Sequence, residues 1–176
     1  RIAGELMASL MDELINTLRE EVGQYEELLV LADLKREVLV KGDIDALVET
    51  TKREQRYAAT LQRLEKKREK IVEDIALVTN QPFKTLTVAK IADMIKSQEN
   101  ESRTLIHISK QLVTLLNHLK VKNELNTQLT EQSLAFIDFT FNALKSSSEQ
   151  PMGNNYQQRG TLYQNDGIKN YFDARQ

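Results

Sequence analysis

The sequence contains no cysteine, no tryptophan, only two prolines and only six glycines among its 176 residues. The lack of cysteine excludes disulfide bonds and thiolate metal sites, and it gives weak support for a reducing compartment. Proline and glycine are the residues that most often interrupt regular structure, so their scarcity leaves little room for turns. A chain of this length with few turns is expected to form a small number of long helices within a single domain.

The sequence also lacks a large excess of charge of one sign, because it contains 24 basic and 26 acidic residues. This balance gives no indication of a nucleic-acid-binding surface. No apolar run approaches the roughly 18 residues of a membrane span, and Glu5 and Asp12 do not fit a signal peptide. We therefore expect a cytoplasmic protein that is not embedded in a membrane. Residues 1–6 are interpreted as a cloning remnant, with Met7 or Met11 as the native start.

The segment Lys41-Gly42-Asp43-Ile44 predicts a tight connection between two helices. Gly42 suits the left-handed position just after a helix, and Asp43 is a favourable N-cap for the next one. Lys41 and Asp45 have the charges that complement the two helix dipoles. Because the break is so short, the two helices must pack side by side and antiparallel.

Apolar residues at steps of three and four predict the remaining helices. Ser9, with Asp12 three residues on, resembles a capping box, although the apolar pattern already begins at Leu6. The first helix is therefore expected from Ser9 to Lys41, and the second from Asp43 to about Asn80, before Pro82. A short helix is expected between Leu86 and Ile95, capped by Thr85 or Thr87, and the longest helix ends near Lys145. The prediction is an all-α, elongated antiparallel bundle of three long helices and one short helix. Residues 1–146 form the bundle domain and 147–176 a flexible, partner-binding tail.

Polar residues interrupt the apolar stripe of the second helix twice, at Glu54/Gln55 and at Glu65/Arg68. They are interpreted either as residues at the edge of the stripe that reach water or as buried polar layers that fix the register. The second interpretation predicts at least one hydrogen bond or ion pair from Glu54 or Gln55 to the long helix, where Lys122 is also within reach. The candidate layer comprises Glu54, Gln55, Asn123 and Asn126.

The end of the long helix is apolar on nearly all sides, although an ordinary bundle helix needs only one apolar stripe. The candidate binding residues there are Leu134, Phe136, Ile137, Phe139, Phe141 and Leu144. Phe136 and Phe141 are predicted to lie on the core stripe and Phe139 to lie off it. Packing against the tail or a second subunit explains this pattern as well as a docking surface does.

The tail follows a linker signal that begins at Ser146 and includes Pro151. It is too polar to fold alone, but it contains apolar residues that could dock on the bundle or on a neighbouring chain. These are Tyr156, Tyr163, Ile168, Tyr171 and Phe172.

Motifs for catalysis or for metal binding are missing from the sequence. A di-iron site in a helical bundle needs Glu-x-x-His pairs, but Thr104 and Leu115 stand three residues before His107 and His118. There is no glycine-rich phosphate loop and no nucleophile motif. We expect no enzyme activity and no cofactor.

Several segments together resemble a known family. The hairpin YEELLVLADLKREVLVKGDIDALVETTKREQ (Tyr25–Gln55) combines a leucine-rich helix, a Gly-Asp turn and a Glu-Gln pair. The further segments are Leu64-Glu65 with Arg68, then Asn123, Asn126, Leu129, Ser133, Leu134 and Phe136, and finally Tyr156 with Gly160. In this order they resemble the FlgN family of flagellar export chaperones, over roughly Met7 to Gly160.

The resemblance implies a small cytoplasmic chaperone that binds hook-associated proteins before export. It implies that the clients bind through amphipathic C-terminal helices, that the C-terminal part of the chaperone holds them, and that the complex is delivered to the membrane export gate. A homo-oligomer is compatible with this reading. The alternative from the sequence is a structural bundle or homodimeric scaffold whose phenylalanine-rich end is its own interface. A regulatory protein that sequesters another factor is a third class.

Overall fold

The computed structural model describes residues 2–148, with side chains from 4 to 146. This part of the chain contains four α-helices and one 3₁₀ turn, and no strand. The elements are α1 (Ile2–Lys41), α2 (Ile44–Thr79), the 3₁₀ turn (Phe83–Thr85), α3 (Val88–Met94) and α4 (Glu99–Ser148). The all-α prediction, with three long helices and one short one, is confirmed. The chain divides between Asp138 and Phe139 into two units, and the second is described as far as Ser148.

The connection between α1 and α2 has the predicted geometry. Gly42 has a φ of 68°, in the left-handed region, and the N–H of Asp43 donates to the carbonyl of Val38 at 3.2 Å. The Asp43 carboxylate accepts a hydrogen bond from the N–H of Ala46 at 3.0 Å and caps α2. Ion pairs such as Lys35–Glu54 then hold the antiparallel helices together.

The second reversal is built from Asn80, Pro82 and the short elements that follow. Asn80 takes a left-handed conformation with a φ of 51° and ends α2. A 3₁₀ turn that the sequence analysis did not predict follows Pro82. Thr87, rather than Thr85, caps α3 by accepting from the N–H of Lys90 at 3.3 Å. The buried Ser102 hydroxyl of α4 donates to the carbonyl of Ala92 at 2.8 Å, which ties α4 to α3.

Both outer helix ends differ from the prediction. α1 begins at Ile2 and not at Ser9, because Met7 and Leu10 pack in the core and continue the helical pattern. The apparent cap at Ser9 therefore lies inside the helix. α4 runs through Ser148, three residues past the predicted end at Lys145. A serine is compatible with a helix when its hydroxyl bonds the preceding turn, as Ser146 does to the carbonyl of Ala143 at 2.9 Å.

The main core lies at the end of the hairpin remote from Gly42. It is formed by the first half of α1, the last part of α2, the residues around α3 and the first turns of α4. Its buried members are Leu10, Met11, Leu14, Ile15, Leu18, Val22, Ile71, Val72, Ile75, Ala76, Leu86, Ile91, Ala92, Ile95, Leu105 and Ile108. Ile44 and Val48 continue the apolar stripe of α2 up to its first turn, and the periodic pattern predicted that they would face the core. Both are exposed, because this core does not extend to the Gly42 connection.

Across residues 2–148, none of the helices combines the length and the apolar character that crossing a bilayer requires.

Candidate functional site

The last turns of α4 expose six large apolar side chains, which we call the terminal patch. Its members are Leu134, Phe136, Ile137, Phe139, Phe141 and Leu144. Phe139 is 71% exposed. They are the six residues of α4 that were predicted from the sequence as candidate binding residues. Phe136 and Phe141, predicted on the core stripe, are exposed instead. The last fully buried residue of α4 within the described chain is Asn126, so the core ends before it reaches them.

A groove lies between α1, α2 and α4 in the middle of the first unit, and we call it the central groove. Its volume is about 380 Å³. It is lined by Leu28 and Lys35 of α1, by Thr51, Glu54, Gln55 and Ala58 of α2, and by Leu119, Asn123, Asn126, Thr127 and Thr130 of α4. All four residues of the candidate polar layer line this groove.

Asn126 is the most buried polar residue of the groove, with 4% of its surface exposed. Its Nδ2 donates to the backbone carbonyl of Ala32 at 2.8 Å. Its Oδ1 is buried and has no hydrogen-bond partner in the described part of the chain. A buried polar atom without a partner raises the free energy of the folded state, and in a native protein it often has a functional explanation.

The three groove threonines donate their hydroxyl hydrogens to their own helices. The acceptors are the carbonyl of Leu47 for Thr51 at 2.9 Å, that of Asn123 for Thr127 at 2.9 Å and that of Asn126 for Thr130 at 2.8 Å. A hydroxyl oxygen that has donated its hydrogen still has lone pairs and acts as an acceptor. The donor Lys35 is already paired with Glu54 at 2.7 Å. The groove thus presents these hydroxyl oxygens and the Oδ1 of Asn126 as acceptors, while the amides of Gln55 and Asn123 can both donate and accept.

The direct bond that we expected from Glu54 or Gln55 to α4 is not formed in the described residues. Glu54 pairs with Lys35, Lys122 pairs with Asp33, and Asn126 bonds Ala32. α1 thus supplies the partners that were expected from α2. The four residues do lie at the same level along the helices, because they line the same groove. A role for them in fixing the register stays a prediction.

Arg68 of the second polar interruption forms a partly buried ion pair with Glu21 of α1. Arg68 Nε lies 3.0 Å from Oε1 of Glu21, which is 6% exposed. Burial raises the pKa of Glu21 above its ordinary value, and the Arg68 guanidinium opposes this shift. Burial also raises the pKa of the neighbouring Tyr25, with a further contribution from the Glu21 charge. The sequence analysis missed Glu21, although its position next to Val22 and three residues after Leu18 on the α1 stripe was a signal.

Metal ligation finds no support in the part of the chain that the structure describes, where no group of three or more histidine, aspartate or glutamate residues is placed to hold an ion. His107 and His118 are exposed residues of α4.

Comparison with known proteins identifies the family. The model of the FlgN protein family matches residues 7–164. This chain belongs to the FlgN family. FlgN proteins are flagellar export chaperones, so the chain is assigned to chaperone function in flagellum assembly. It is also 28% identical over 131 residues to the "Uncharacterized protein YvyG" of Bacillus subtilis (strain 168), covering 74% of this chain and 78% of that protein. No solved structure matches it.

The FlgN match includes both the terminal patch and the central groove. The tail residues that were predicted to dock are Tyr156, Tyr163, Ile168, Tyr171 and Phe172. All five lie outside the described residues, and the last three also lie beyond the matched range.

Proposed function

We propose that this FlgN-family chain binds the amphipathic C-terminal helices of hook-associated proteins in the cytoplasm. In this role it prevents their premature assembly and delivers them to the flagellar export apparatus. The observation that supports the proposal is the terminal patch, in which one helix exposes six large apolar side chains within eleven residues. Exposed apolar surface of this kind marks sites of protein interaction.

The affinity required of such a site is within reach of the patch. A large apolar side chain that becomes fully buried contributes on the order of 1.5–3 kcal/mol. Three anchors of a client helix at the upper end of this range supply about 9 kcal/mol, close to the roughly 8 kcal/mol of a micromolar dissociation constant, and further contacts along the helix must offset the cost of association. An amphipathic helix suits this surface, since its anchors recur every three or four residues, as do Leu134, Ile137, Phe141 and Leu144.

Residues 147–176 are proposed to act as a separate segment that binds the client or covers the patch when no client is present. This part of the proposal rests on composition alone, since Tyr163, Ile168 and Phe172 are apolar groups in a polar segment. A client helix offers more apolar area than these residues do and would displace them. Client exchange by competition needs neither a nucleotide nor a metal.

Phe139→Asp tests the proposal, because Phe139 is 71% exposed and its loss leaves the core intact. Titrating the variant with the C-terminal peptide of a hook-associated protein should show binding weakened about tenfold or more, since a charge replaces an apolar anchor. Val121→Asp is the matched control, because Val121 is also an exposed apolar residue of α4 but lies outside the patch. Equal affinity of wild type and a folded Phe139→Asp protein would exclude Phe139 from the client site.

The scaffold alternative makes a different prediction for the same variant. If the patch is the interface of a homodimer, wild type should sediment as a dimer at every concentration studied and Phe139→Asp as a monomer. If the chain is a chaperone, the client peptide should instead bind the patch and change the sedimentation of the wild-type protein. Sedimentation with and without the peptide separates the two.

A further inference from the structure

We infer that the central groove receives a hydrogen-bond-donating side chain of the bound client helix. This inference rests on the proposed function, and it adds a polar contact to the apolar docking on the terminal patch. The occupant is an amphipathic helix with an amide, hydroxyl, ammonium or guanidinium group near its apolar anchors.

The buried Oδ1 of Asn126 is the first reason. Its amide is fixed by the bond from Nδ2 to the carbonyl of Ala32, so the oxygen cannot exchange places with the nitrogen without losing that bond. The oxygen has no partner in the described chain. A donor that reaches it from the groove would satisfy it, whereas a carboxylate would face an acceptor and the carboxyl group of Glu54.

The position of the groove along α4 is the second reason. Leu134 follows Thr127 by seven residues and Thr130 by four, and Ile137 follows Thr130 by seven. Residues at these spacings lie on one face of a helix. A client helix that runs along α4 over Leu134 and Ile137 therefore passes over the groove within about two further turns, or roughly 11 Å.

The size and lining of the groove are the third reason. A volume of about 380 Å³ accommodates one long polar side chain together with some water, since each water occupies about 30 Å³ in the liquid. The hydroxyl groups of Thr51 and Thr130 already donate to backbone carbonyls, so toward the groove their oxygens offer lone pairs. Together with the Oδ1 of Asn126, these oxygens are acceptors that a donor of the client would satisfy. The amides of Gln55 and Asn123, which also line the groove, can both donate and accept.

Ala58→Leu tests whether the client enters the groove. Ala58 lines the groove but is exposed, so leucine there fills the space without disturbing the core. Ala59→Leu is the matched control, because Ala59 is the adjacent exposed residue of α2 and does not line the groove. With the C-terminal peptide of a hook-associated protein, we expect Ala58→Leu to bind about tenfold more weakly and Ala59→Leu to bind as wild type does. Thermal unfolding of both variants verifies that they fold.

Replacing each donor side chain of the peptide in turn by an apolar one of similar size tests the hydrogen bond. One of these replacements should weaken peptide binding to the wild-type protein about tenfold, as expected when a buried acceptor loses its donor. The same replacement should leave peptide binding to the Asn126→Leu protein unchanged. Wild-type affinity of Ala58→Leu, or no replacement that distinguishes wild type from Asn126→Leu, would mean that the groove holds only solvent and would overturn the inference. If the wild-type protein does not bind the peptide at all, the proposed function itself fails, and this inference fails with it.

Discussion

At Gly42 the backbone has a φ of 68°, where a side chain is strained, although a Cβ there would meet no neighbouring atom within 4 Å. The strain is therefore the main effect of adding a side chain. We expect Gly42→Ala to lower the free energy of unfolding by about 1 kcal/mol. Urea denaturation measures this change. Gly23→Ala is the control, since Gly23 lies inside α1 and alanine there should stabilise the helix.

Glu21 is a second residue whose environment gives a direct test. Its folded-state pKa is raised by burial, so the folded state holds the Glu21 proton more tightly than the unfolded state does. The resulting stabilisation is present below the unfolded pKa of roughly 4.3 and is lost as the pH rises through the folded pKa. Wild-type stability relative to Glu21→Gln should therefore fall as the pH rises through this window.

Denaturation of both proteins between pH 4 and pH 8 gives this difference. Removing the Glu21 charge also leaves Arg68 without its partner. If this effect does not depend on pH, it shifts the stability difference by a constant amount and leaves its slope against pH unchanged. A difference that rises with pH would show that the Arg68 ion pair outweighs burial and lowers the pKa of Glu21.

Asn126 is expected to lower the stability of the empty protein. Its unpartnered oxygen has a penalty of about 1–3 kcal/mol, and the bond from its nitrogen returns only about 0.5–1.5 kcal/mol. Asn126→Leu removes both and places an apolar side chain on the buried face of α4. Its free energy of unfolding should equal that of wild type or exceed it by up to about 2 kcal/mol. Asn123→Leu, at an exposed position, should stay within about 0.5 kcal/mol of wild type. A clear loss of stability in Asn126→Leu would show that the bond to Ala32 dominates.

Among the elements, α3 depends most on tertiary packing, because a helix of seven residues is not stable alone. It is held by the buried Ile91 and Ala92 and by the Thr87 cap. Ile91→Ala should lower the free energy of unfolding by about 2–5 kcal/mol, through lost burial and the cavity that remains. Met94→Ala on the same helix should have a much smaller effect, because Met94 is largely exposed. Equal effects of the two substitutions would mean that α3 contributes little to the core.

The sequence was most informative about elements where local chemistry determines the backbone. Gly42 and Asp43 have geometries that follow from their own chemistry, and both were predicted correctly. Thr87 was one of the two caps expected for α3. The start of α1 was predicted wrongly because tertiary packing of Met7 and Leu10 overrides a local capping pattern at Ser9. Such packing depends on residues far along the chain, so a local pattern does not reveal it.

The same distinction applies to the candidate site. An apolar residue off the stripe, such as Phe139, predicts exposure, and the structure exposes it. The partners of Glu54 and Asn126 were not predictable. The apolar stripe shows where a residue lies along its helix, but it does not show which neighbouring helix supplies the hydrogen-bond partner. The partly buried Glu21–Arg68 pair was missed for the same reason, since its members are 47 residues apart.

Over the whole of the first unit, buried apolar residues are concentrated at the end remote from Gly42. Local stability follows the density of such contacts, so the two ends of the hairpin should open with different free energies. In native-state hydrogen exchange, amides of residues 49–53 in α2 should exchange faster than those of residues 71–75 in the same helix. Both segments have intrahelical hydrogen bonds, so the comparison isolates packing. Uniform protection along α2 would instead indicate that the helix opens only as one unit.

The unpartnered oxygen of Asn126 has one more consequence, for the evolution of this protein. If a donor of the client satisfies this oxygen, then a substitution that raises the thermal stability of the client-free chain also weakens client binding. Selection for thermal stability alone would drive position 126 toward leucine, whereas selection for client capture would retain asparagine. A library randomised at position 126 should therefore enrich different residues when it is selected for thermal stability and when it is selected for client binding.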